Sequence, residues 1–99
     1  MDQIQRIKHM EAIMEKSEAS LELLRIACNH YEEIQQELHE LQAYYQSALW
    51  RKDFTDDELG KLPQDLKRGI LSEDGIWNLL EERDSLMMKM KQFIEDEKK

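Results

Sequence analysis

From Ile4 to Leu49 the chain has neither glycine nor proline, and apolar residues return at helical spacing: Ile4, Ile7, Met10, Met14, Leu21, Leu24, Cys28, Tyr31, Ile34, Leu38, Leu41 and Tyr45. Nothing in the run removes a backbone donor or favours a turn, so one long helix over 3–49 is expected. The step from Tyr31 to Ile34 repeats a three-residue spacing and locally disturbs a heptad seam. Ser17 and Ser20 are the weak point, because a serine hydroxyl competes for nearby backbone groups. A bend there, giving a monomeric three-helix bundle, is the alternative architecture.

All three glycines, the one proline and both tryptophans lie between Trp50 and Trp77. Thr55 followed by Glu58 has the form of a capping box, and Gly60 suits the end of a short helix begun there. Pro63 suits the first turn of a second short helix, PQDLKR, which Gly69 would close. Residues 50–72 are therefore expected to form a compact cap with two short helical turns. Ser72, with Glu73 and Asp74 in the favoured first turn, is placed to cap a second long helix over 73–96. Its expected buried stripe is Ile76, Leu79, Leu80, Leu86, Met87, Met90, Phe93 and Ile94, with Arg83 on the same face. The Arg83 stem is expected to snorkel along the seam, or its guanidinium to pair with a glutamate of the first helix.

At 1.5 Å per residue the first helix would span roughly 70 Å and the last about 35 Å, so folding back leaves Ile4 to Leu24 uncovered. The expected fold is all-α: a single domain over 1–99, built as a long antiparallel, coiled-coil-like helical hairpin with a cap. Two copies would pair into a helical-bundle homodimer through Ile4, Ile7, Met10, Met14, Leu21 and Leu24.

Charge and composition narrow the function classes. Fourteen Lys and Arg against 22 Asp and Glu give a net charge of -8, which repels nucleic-acid phosphates and anionic lipid. The sequence is 40% hydrophobic and 36% charged, without the long uncharged run of a membrane helix. Charges interrupt the apolar residues at the N-terminus, unlike a secretory signal core, so a cytoplasmic protein is expected. The single cysteine, Cys28, sits at an apolar helical position and reads as a reduced core thiol.

Residues 42–80 resemble a small bacterial family, domain of unknown function 4298. The resemblance is carried by AYYQSALWRKDF and DELGKLPQDLKRGILSEDGIWNLL: Tyr44-Tyr45, Trp50, Asp53, Gly60, Leu62-Pro63, Leu66-Lys67-Arg68-Gly69 and Leu71-Ser72-Glu73-Asp74, in that order and spacing. The amphipathic Ile4 to Leu24 segment is similar to the family's looser N-terminal part. The family name implies no reaction, cofactor or partner.

Candidate chemistries each meet a plainer explanation. Glu37 with Glu40 and Glu81 with Asp84 resemble the paired acids by which all-helical nucleoside triphosphate pyrophosphohydrolases hold magnesium, since carboxylates three apart share a helix face. With 22 acids in 99 positions such pairs also arise from composition alone, as Glu15 with Glu18 illustrates. His9, His30 and His39 are scattered, and the His30–Glu33 pair alone does not define a zinc site. Ser72 reads as a helix cap rather than a nucleophile. A helical chorismate mutase layout would need several inward-facing bases, and the first helix offers only Arg6, Lys8, Lys16 and Arg25 among nine acids. Lys67 and Arg68 could hold an anion, but pairing with Asp53, Asp56 or Asp57 to fix the cap explains them as well. Trp50, Phe54, Tyr44, Tyr45 and Trp77 read as the packing of the cap, or as an aromatic anchor for a partner.

The sequence thus reads as a non-catalytic interaction or adaptor protein without a cofactor, binding an unidentified protein partner. The expected contact surface is the cap, at Trp50, Asp53, Asp57, Lys61, Lys67 and Arg68, because bundle stability alone needs no irregular connection of this length. The alternatives are a magnesium-dependent pyrophosphohydrolase using Glu37, Glu40, Glu81 and Asp84, and a purely structural dimer.

Overall fold

The computed structural model describes residues 2–99 and is all-helical: α1 (Gln3–Tyr45), α2 (Ala48–Glu58), a 3-10 turn (Gly69–Leu71) and α3 (Gly75–Glu97). It divides into two compact units, Met1–Leu38 and His39–Lys99. Among the described residues no helix is long and apolar enough to cross a membrane.

The first unit is helix α1 up to Leu38. Its start is a reciprocal cap: the Gln5 amide donates to Asp2 Oδ1 at 2.8 Å, and the Asp2 amide donates to Gln5 Oε1 at 3.2 Å. The helix does not break at Ser17 and Ser20. The Ser17 hydroxyl instead donates to the Ile13 carbonyl at 2.8 Å, a back-bond along the same face that leaves the helical ladder intact. Arg25 pairs with Glu22 one turn earlier. The expected core position of Cys28 is corrected: its thiol is exposed, because the apolar face of this segment, Cys28 included, is open to solvent.

In the second unit α1 ends at Tyr45, four residues short of the expected Leu49. The reason is Ser47. Its hydroxyl donates to the Tyr44 carbonyl at 2.6 Å and accepts the Trp50 amide at 3.3 Å, so one side chain closes α1 and caps α2. Thr55, expected to begin a short helix, consequently lies inside α2. Gly60 follows as expected, with φ at +71°, the left-handed conformation that ends helices cheaply only at glycine.

The second expected short helix is absent. Pro63 to Leu66 make a turn closed by the Leu66 amide on the Pro63 carbonyl at 3.2 Å, and Gly69 opens the 3-10 turn instead of ending a helix. Arg68 also donates to the Leu66 carbonyl and to that of Pro63, which it shares with the Leu66 amide. Helix α3 begins at Gly75, two residues later than expected, so the expectation is corrected: Asp74 is the N-cap residue, without a side-chain capping bond, and Glu73 lies ahead of the helix rather than in its first turn. The Ser72 hydroxyl accepts the Gly75 amide at 3.0 Å and donates to the Gly69 carbonyl at 2.8 Å.

The core of this unit is small, with Leu71 and Ile76 buried. The α3 stripe expected to be buried follows a gradient away from the cap. Ile76 is buried, Leu80 and Arg83 are half-buried, and Leu79, Leu86, Met87, Met90, Phe93 and Ile94 are exposed. The expectation for those six is corrected: apolar spacing marks a face able to be buried, and no element of this unit covers it beyond Arg83. That arginine donates to Gln42 Oε1 of α1 at 3.3 Å and pairs with Asp84 at 3.0 Å, so its partner on α1 is an amide rather than a glutamate.

Candidate functional site

The cap is built around Trp50. Ser47 starts α2 at a position that brings the indole between Tyr45, edge-on at 5.1 Å, and Phe54, stacked at 5.2 Å. The indole N–H donates to the Ile70 carbonyl at 2.8 Å, fastening α2 to the 3-10 turn twenty residues later. Trp77 does not join this stack and stands about half exposed on α3.

Asp53 and Asp57, one turn apart on α2, are both occupied. The Tyr44 hydroxyl donates to Asp53 Oδ2 at 2.7 Å. Burial pushes the Tyr44 phenol up to about 12, helped by the bond to Asp53 and by the negative charge there. The Arg68 guanidinium pairs with Asp57 and also donates to the Pro63 carbonyl and, at 3.3 Å, to that of Leu66. One planar fork therefore holds the irregular segment onto α2. Beside it, Asp56 takes Lys52 at 2.9 Å and Lys61 at 4.0 Å. The bond from Lys52 holds the Asp56 carboxyl below its ordinary value, and Asp56 raises Lys52 in return.

Of the six positions expected to contact a partner, Trp50, Asp53, Asp57 and Arg68 thus have their polar groups engaged inside the cap. Lys61 is largely exposed, touching Asp56 only at 4.0 Å. Lys67 forms no ion pair among the described residues and borders an open cleft of about 390 Å³. The cleft is otherwise lined by Leu41, Gly69, Ile70, Gly75, Ile76 and Leu79. Sequence reasoning missed it, because its walls come from α1, the 3-10 turn and α3 and no local pattern announces their meeting.

The acidic set is not assembled into a metal site. Among the described residues no three His, Cys, Asp or Glu side chains converge on a point able to hold a cation, and Asp84 is taken by Arg83. Glu40 and Glu81 belong to the second unit and Glu37 to the first.

The seam of the first unit has a different character. Ile4, Ile7, Met10, Met14, Leu21 and Leu24 are between 50% and 66% exposed, an apolar row down one side of a helix. Every side-chain hydrogen bond of that unit among the described residues stays within four positions along the helix.

A family model described as "Domain of unknown function (DUF4298)" matches residues 7–93, from the exposed seam through the cap to the last turns of α3. No curated protein and no solved structure matches the chain.

Proposed function

The chain belongs to the DUF4298 family, and we propose that it is a non-catalytic protein–protein interaction module whose contact surface is the apolar seam of α1. One observation carries this reading: six large apolar side chains at helical spacing, Ile4 to Leu24, are half or more exposed. An isolated helix gains little from propensity alone and is normally fixed by burying such a face, and a continuous exposed apolar row marks an interaction site. Asp53, Asp57 and Arg68 are engaged within the cap, holding α2 to Tyr44 and to the 63–68 segment.

The test replaces Met14, Leu21 and Leu24 by Gln, a good helix former, which removes the apolar row while keeping the helix. In affinity capture from lysate of the native host, proteins retained by the wild type are expected to be lost from this variant and kept by Lys61→Ala. An unchanged set of captured proteins with the seam variant would sink the reading.

The Lys67 cleft favours a second reading, in which the cap receives an apolar side chain of an acidic peptide, with Leu41, Ile70, Ile76 and Leu79 as walls and Lys67 as counter-charge. Lys67→Glu separates the two: it abolishes capture under the cleft reading and leaves it intact under the seam reading.

A further inference from the structure

We propose that the occupant of the α1 seam is a second copy of this chain, packed antiparallel and centred near Ala19, an inference that rests on the seam being the interaction surface. The seam follows heptad spacing from Ile7 through Met10, Met14, Ser17, Leu21 and Leu24 to Cys28 and Tyr31. Its size suits a dimer. Large side chains at about half exposure leave roughly 50 Å² of apolar area each, so the six seam residues and the flanking Ile13 of two copies bring together on the order of 700 Å². That is about the apolar share of a standard interface of roughly 1,200–2,000 Å².

Side-chain size and charge decide the orientation. In a parallel, in-register pair Ser17 would face Ser17 and leave a gap in the middle of the seam. Turned antiparallel about Ala19, each Ser17 lies opposite Leu21, Met14 opposite Leu24, Met10 opposite Cys28 and Ile7 opposite Tyr31, so small meets large in the central layer. Charge adds to this at the two ends of the seam. Arg6 and Lys8 sit near its start, with Asp2, and Glu32, Glu33 and Glu37 near its finish, while Glu11, Glu15 and Glu18 lie with Lys16 between them. A parallel pair would set Glu32, Glu33 and Glu37 against their own copies, whereas the antiparallel pair sets them against the segment that holds Arg6 and Lys8. On the seam's flank Glu11 then faces Arg25 of the second copy in both halves of the symmetric contact, two opposite-charge pairs against the one like-charge pair that Glu18 makes with its own copy at the centre.

The experiment uses the full chain. Sedimentation equilibrium over a range of concentrations is expected to give a dimer, and Leu21→Gln with Leu24→Gln to weaken it by on the order of 100-fold while helical circular dichroism is retained. Orientation is read by mild oxidation, with Cys28 as the native probe. The wild type should form no Cys28–Cys28 disulfide, while Met10→Cys should form linked dimers through position 10 and Cys28 of the second copy. A chain that stays monomeric at millimolar concentration yet loses captured proteins in the seam variant overturns this proposal and leaves the interaction reading standing. A dimer indifferent to the seam substitutions overturns the proposal and directs attention to the cap. Rapid Cys28–Cys28 linkage in the wild type establishes the parallel pair and overturns the orientation.

Discussion

In Met1–Leu38 the side-chain hydrogen bonds among the described residues close over three or four positions, as between Asp2 and Gln5 or Ser17 and Ile13, whereas His39–Lys99 also holds bonds that close over 9, 11, 20 and 41. The first unit is ordered by local interactions and leaves its apolar side free. The second spends its aromatic and charged residues on closing an irregular path. Both regions carry apolar residues at helical spacing, so apolar pattern alone does not distinguish a face buried within the chain from one left exposed. The difference lies in the reach of the polar contacts around each face: Trp50, Arg68 and Arg83 tie distant residues together in the second unit, and the first has no counterpart among the described residues.

The sharpest way to break this contrast is to remove the long-range clasp. Trp50→Ala deletes the stack with Tyr45 and Phe54 and the bond to Ile70, and should cost about 3 kcal/mol, the lower end for a large aromatic because Trp50 is only half-buried. Amide exchange should then accelerate through 48–76 and stay unchanged over 5–30; equal acceleration in both would show that the first unit depends on the cap.

Gly75→Ala comes next. A Cβ there would lie 2.5 Å from Ser72 Oγ and 2.6 Å from the Gly69 carbonyl oxygen, and since the latter is backbone the start of α3 must shift. Urea unfolding should register a loss of about 1–3 kcal/mol. Gly60→Ala meets no steric neighbour but must hold φ at +71°, so its cost should be smaller, about 1 kcal/mol in the same assay. A Gly60 effect exceeding that of Gly75 would place the critical joint at the end of α2 instead of the start of α3.

Tyr44 supplies a pH test confined to the second unit. Its proton is held more tightly in the folded chain, with the phenol at about 12 against an unfolded value near 10. The stabilisation is therefore complete below about pH 10 and is lost as pH rises through 12. Tyr44→Phe should remove that slope, and phenolate absorbance should show one tyrosine titrating above the others. The smallest effect is expected at Lys52, an exposed partner of Asp56: Lys52→Ala should leave the melting temperature unchanged within error.

What could be read in advance follows from interaction range. The helical class, the Gly60 stop and the apolar row from Ile4 to Leu24 were legible, since each depends on residues within about one turn; Ser72 was legible as a bonding partner ahead of α3, although Asp74 takes the N-cap position. The pairing of an arginine or lysine of the 67–68 pair with an α2 aspartate was legible as a set, and the structure selects Arg68 with Asp57. The end of α1 at Tyr45 rather than Leu49 was not legible, because Ser47 gives no sign in isolation that its hydroxyl will serve two helices. The short helix expected at 63–68 gives way to a single turn whose carbonyls at Pro63 and Leu66 also receive the Arg68 side chain, a contact that the local sequence does not announce.

Local chemistry therefore determines where this chain is helical and which side of each helix is apolar, because backbone hydrogen bonding and side-chain spacing act over three or four residues. Tertiary structure decides which apolar faces are covered. The cleft at Lys67 and the burial of Leu71 and Ile76 exist only once Trp50 reaches Ile70, Arg68 reaches Asp57 and Ser72 holds Gly69 against Gly75. Burial is a property of what arrives from elsewhere in the chain, and a residue's own neighbours in sequence do not encode it.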